Sequence, residues 1–85
     1  MVRKRKEISK SEEIVIGEQA GEITKSEAWS RAIDGLHEKY FNSWRTAQTA
    51  ELRESIFAKL IVIDDVASEF RSMENNAVIL KRSPY

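Results

Sequence analysis

There is no cysteine in this sequence. Neither a disulfide nor a thiolate metal site can therefore supplement a small core. That matters at 85 residues, because a chain this short is at most one domain and buries only about 60% of the surface its unfolded form exposes. Long apolar runs are missing too: none exceeds the length of residues 60–63, far short of the roughly 20 residues that cross a bilayer. No apolar run follows the basic start, so no secretory signal is expected, nor any need for an oxidising compartment. Only one histidine is present, and net charge is absent, since 14 basic residues balance 14 acidic ones. The balance hides an asymmetry. Arg3, Lys4, Arg5, Lys6 and Lys10 against Glu7 give residues 1–10 a charge of +4 and leave −4 on the other 75.

What is present is organised around residues 52–73. Leu52, Ile56, Leu60, Ile63, Ala67 and Phe70 recur at steps of three and four, which is one face of a helix. Val66 and Met73 widen that face on one side. Thr49 is placed to cap the helix, and Glu51 and Glu54 suit the positive end of its dipole. Phe57 and Ile61 point roughly opposite the main stripe, one turn apart. Single exposed hydrophobes are ordinary. This pair is large and adjacent, and with Ala58 and Val62 at its edge it reads as a second docking face.

A first helix is expected over residues 24–47, opened by the Thr24-x-x-Glu27 capping box. Trp29, Ile33, Leu36, Tyr40, Trp44 and Ala47 form its stripe, and Arg45 lies in the last turn. Gly35 interrupts the helix without shifting the apolar phase, and its missing side chain would let another backbone approach. Only residues 46–49, TAQT, separate the two helices. So short a connection makes them antiparallel neighbours. Trp29, Ile33, Leu36, Tyr40 and Trp44 should then face Leu52, Ile56, Leu60, Ile63 and Phe70 in reverse order.

The predicted fold class is thus all-α: an antiparallel two-helix hairpin over residues 24–76 with extended arms over 1–23 and 77–85. Residues 1–12 are dense in charge and read as a loose arm. Residues 13–17, EIVIG, favour an extended segment, and 18–22 a loop broken by Gly21. Asn75-Asn76 marks the expected helix stop. Residues 77–80, AVIL, are a second β-favouring run; Ile14–Ile16 and Val78–Leu80 can pair as a short ribbon, or either segment can add to a partner's sheet edge.

Chemistry-bearing patterns are few. His37 lies on the flank of the first helix, where a boundary residue with a hydrogen-bond partner is expected, and no cysteine or base-nucleophile pattern accompanies it. Asp64, Asp65 and Glu69 are the best carboxylate cluster, but without a Glu-x-x-His pattern they read as a solvated acidic face. No phosphate-binding glycine loop or zinc spacing occurs. Neither catalysis, a cofactor nor a metal is expected. Arg3, Lys4, Arg5 and Lys6 can neutralise phosphates or meet an acidic protein surface. No aromatic residue interleaves with them to stack bases, and the apolar second helix is unlike a recognition helix.

Residues 28–70 resemble a class of small helical-hairpin proteins encoded by tailed bacteriophages. The matching features are Tyr40-Phe41-Asn42-Ser43-Trp44-Arg45, the turn at 46–49, Glu51-Leu52-Arg53-Glu54, Phe57-Ala58-Lys59-Leu60 and the apolar run into Asp64-Asp65-Val66. The resemblance implies a virion or assembly role, in the particle or the host cytoplasm, and carries over no functional residue. The expected function is therefore a non-enzymatic structural protein that oligomerises or docks on other protein subunits, with no membrane. Phe57, Ile61 and Phe41 are its candidate contact residues. The alternatives are a small nucleic-acid-binding regulator using Arg3 to Lys6, or an inhibitor of a host protein.

Overall fold

A computed structural model of the chain describes residues 9–82. They form three helices: α1 (Lys10–Lys25), α2 (Glu27–Thr46) and α3 (Ala50–Arg82). All-α is right, but the two-helix hairpin is overturned: the expected N-terminal arm contains a helix of its own, and no strand exists among the described residues. Ile14–Ile16 lie inside α1, and residues 77–80 lie inside α3. Neither forms a ribbon. Local β preference is weak beside tertiary packing, and here capping and small residues decide the outcome. Residues 1–8, including Arg3, Lys4, Arg5 and Lys6, and residues 83–85 lie outside the described part.

Helix α1 begins where Ser9 accepts a hydrogen bond from the Glu12 N–H at 3.2 Å. Glu12 and Glu13 follow at the positive end of the dipole and Lys25 sits at the negative end. The buried positions of α1 are Gly17, Ala20 and Gly21. A Cβ on Gly17 would overlap the Ala77 side chain and the Met73 carbonyl oxygen. The backbones of α1 and α3 therefore meet almost without intervening side chains. A glycine inside a helix costs about 1 kcal/mol, and at Gly17 that close approach is what offsets it. Gly21 differs: it faces the end of the Glu74 side chain, whose Oε1 lies 3.2 Å from the position of a Cβ.

The expected capping box at Thr24 is also corrected. Thr24 stays in α1, where its hydroxyl donates to the Gly21 carbonyl at 3.2 Å and to Glu74 Oε2 at 3.3 Å. The cap of α2 is Ser26, which accepts from the Trp29 N–H at 3.2 Å. Its backbone is extended, with φ −74° and ψ 147°. The break has a reason in the pattern. Thr24 closes the shielded stripe of α1 and Trp29 opens that of α2, five residues on. A continuous helix would turn those two about 140° apart. One extended residue resets the phase, so both helices can face α3.

Helix α3 is the spine. Its 33 residues should reach about 50 Å, and the molecule measures 55 × 33 × 16 Å. The expected stop at Asn75-Asn76 does not occur; the helix runs on to Arg82 because Ala77 is buried beneath α1. Its shielded positions are Ile56, Leu60, Ile63, Ala67, Phe70, Glu74, Ala77 and Leu80, at steps of four and three. Such spacing keeps one seam facing an antiparallel neighbour. Leu52, expected in this stripe, is exposed. Thr49 caps α3 as expected, accepting from the Leu52 N–H at 3.2 Å.

Pairings along the spine run in strict reverse order. Glu18 meets Lys81 at 3.1 Å, Thr24 meets Glu74, and the Trp29 and Phe70 rings lie 4.7 Å apart. His37 meets Asp64, and Lys59 sits over the Tyr40 ring. Both shorter helices thus lie antiparallel to α3 on successive lengths of one seam. Replacing Gly17 with Ala should destabilise the protein by about 1–3 kcal/mol through overpacking, measured by urea denaturation. Equal stability would mean that α1 and α3 do not approach so closely.

Candidate interaction site

The sequence of the turn places a cluster of large side chains at one end of the molecule. Helix α2 ends at Thr46, and the Ala47 N–H donates to the Trp44 carbonyl at 3.3 Å. Arg53, in the first turns of α3, donates from Nε to the Ala47 carbonyl at 3.2 Å and lays its guanidinium over the Trp44 ring, 5.5 Å from the centroid. This one side chain ties the turn to both helices. Trp44 in turn stacks with Phe41, the centroids 6.2 Å apart and the planes at 20°.

Phe41, Phe57 and Ile61 are 52%, 56% and 46% exposed. Helical phase puts them on one face. At about 100° per residue, Phe41 stands one residue beyond Tyr40 in the direction of His37, and Phe57 stands on the Asp64 side of α3. His37 and Asp64 join across that face: the imidazole Nε2 lies 2.8 Å from Asp64 Oδ1. Phe41, Trp44, Phe57 and Ile61 therefore form an apolar patch near the turn, rimmed by Arg53 at one side and by the His37–Asp64 pair at the other. His37 has the hydrogen-bond partner expected of a boundary residue. Asp64 is engaged by His37 rather than gathered with Asp65 and Glu69, and among the described residues no group of three acidic or histidine side chains is placed to hold a metal ion.

Several contributors were not expected from the sequence. Gly17, Gly21, Ala77 and Glu74 build the α1–α3 contact, and Arg53 builds the turn. The two glycines carried a signal, their Gly-x-x-x-Gly spacing in register with Ala20; nothing local pointed to Ala77 or Glu74. Beside that contact lies a shallow groove edged by Glu18, Glu22, Lys25, Glu74 and Lys81. Three carboxylates there stand against two ammonium groups, and Glu18 pairs directly with Lys81.

No helix among the described residues is long and apolar enough to cross a membrane. Comparison with protein-family models, with curated proteins and with solved structures gives no match.

The His37–Asp64 pair is open to water, with side-chain exposures of 41% and 67%. A double-mutant cycle using His37→Ala and Asp64→Ala should give a coupling below about 1 kcal/mol. A coupling several times larger would mean the pair organises this face rather than bordering it.

Proposed function

We propose that the protein is a non-enzymatic structural or interaction protein that docks on another protein through the Phe41–Phe57–Ile61 face. The observation that carries this reading is the patch itself. Three large apolar side chains stand about half exposed, and helical phase puts them on one face of the α2–α3 pair, whose turn is held by Arg53 and Thr49. Aromatic anchors held on regular elements lose little freedom on binding, so they favour association more than loose side chains do. The resemblance of residues 28–70 to phage-encoded hairpin proteins supports placing that docking in the assembly of a phage particle.

Replacing Phe57 and Ile61 together with Ser is the test. Helicity by circular dichroism should be unchanged, because neither residue lies in the seam. Recovery of partner proteins by the tagged chain from its native source should fall about tenfold or more, the loss of two anchors each worth over 1 kcal/mol. Loss of helicity alongside binding would place both residues in the core instead, and unchanged recovery would remove the docking role.

A second reading rests on the sequence alone. The +4 charge of residues 1–10 suits a phosphate backbone. If Arg3, Lys4, Arg5 and Lys6 bind duplex, deleting residues 1–8 should abolish a salt-sensitive affinity whose logarithmic slope is roughly −0.9 per phosphate contacted. Affinity that survives the deletion would end that reading.

A further inference from the structure

The broad face opposite the aromatic patch carries a second apolar seam that the docking reading does not use. On α3, Val62, Val66 and Met73 recur at steps of four and seven and are 59%, 44% and 38% exposed. On α1, Ile16 and Ile23 stand seven apart and are likewise exposed. Helical phase places them a quarter to a third of a turn from the core seam, on the side of Tyr40 and Lys59 and away from His37 and Asp64. Next to the α3 ridge, α2 presents Ala28, Ala32 and Gly35, again four and three apart and exposed. A ridge of large side chains thus lies beside a trough of small ones. A Cβ on Gly35 would meet nothing within 4 Å, so the helix-propensity cost of a glycine there is not offset by packing against another described residue.

We propose that this face is covered by a second copy of the same chain, in a two-fold dimer that seats the α3 ridge of each copy in the α2 trough of the other. An isologous interface needs both halves of a complementary shape on one patch of one molecule, and ridge and trough meet that requirement. Charge is compatible too. The zero net charge leaves no overall repulsion between copies. A two-fold axis near Val66 brings Lys39 and Lys59 of one copy, both lying against Tyr40, towards Glu69 of the other, the one acidic residue that interrupts the α3 ridge. The Phe41–Phe57–Ile61 patches are left facing outward on opposite sides of the dimer.

Sedimentation equilibrium of the full chain from low to high micromolar concentration tests this. The expected mass at the upper end is twice 9.8 kDa. Val66→Glu with Met73→Glu should weaken self-association on the order of 100-fold, by burying charge without a partner, while Phe57→Ser with Ile61→Ser should leave it unchanged. Because the charged variant can fail to fold, a second arm uses the absence of cysteine. Val66→Cys should give a disulfide-linked dimer on mild oxidation, and Phe57→Cys should not. A 9.8 kDa species throughout, or dissociation by the Phe57 and Ile61 changes rather than by those at Val66 and Met73, would overturn the proposal. So would a cross-link at Phe57→Cys in place of Val66→Cys.

Discussion

The seam made by Ile56, Leu60, Ile63, Ala67, Phe70, Glu74 and Ala77 is the constraint under which the rest of the chain is arranged. Its repeat of three and four residues presents a single line of contact along most of a 33-residue helix. A straight partner of the same length would need one uninterrupted stripe. The N-terminal half has two stripes out of phase, and the extended residue Ser26 is how both are brought to the same line. The two contacts then differ in kind. Towards the turn, aromatic and branched side chains from α2 stand between the helices, as Trp29 does against Phe70. Towards the open end, Gly17 and Gly21 let the helices close up on Ala77 and Glu74.

One line of contact makes a single layer, and a single layer cannot enclose much. Among the described residues the buried hydrophobic side chains are Ala20, Ile63 and Ala77, two of them alanines. The radius of gyration, 16.9 Å, compares with about 12 Å for a compact domain of this length. A layer also has two broad faces, and each carries apolar groups of a different character: a short aromatic patch beside the turn, and a longer aliphatic seam with a glycine and alanine trough beside it. The proposed docking and the proposed dimer each use one of them, so neither role obstructs the other.

Much of this was legible in the residues. The 3.6-residue period of 52–73, the short connection after Trp44 and the Thr49 cap gave the antiparallel pairing of α2 with α3 in the right order. The exposed phase of Phe57 and Ile61 followed from the same period. What was not legible was α1, because Ile14, Val15 and Ile16 favour strands locally and two glycines nearby suggest a loop. Those glycines are contact positions whose meaning depends on Ala77, some sixty residues away, and no local rule connects them. The Asn75-Asn76 stop failed for the same reason, since α1 covers the helix beyond it. A local sign did exist at the start of α1, where Ser9 and Glu12 have the spacing of a capping box, but it lies in a stretch dominated by charge.

The central claim is that this layer is incomplete alone, so that burial against another surface contributes a substantial share of its stability. The most direct measurement is the midpoint of thermal unfolding as a function of protein concentration, followed by circular dichroism. Folding coupled to association makes the midpoint rise with concentration, and that rise is the predicted result. A sharp transition at a midpoint independent of concentration would contradict the account, because it would show that three helices in one layer are sufficient by themselves.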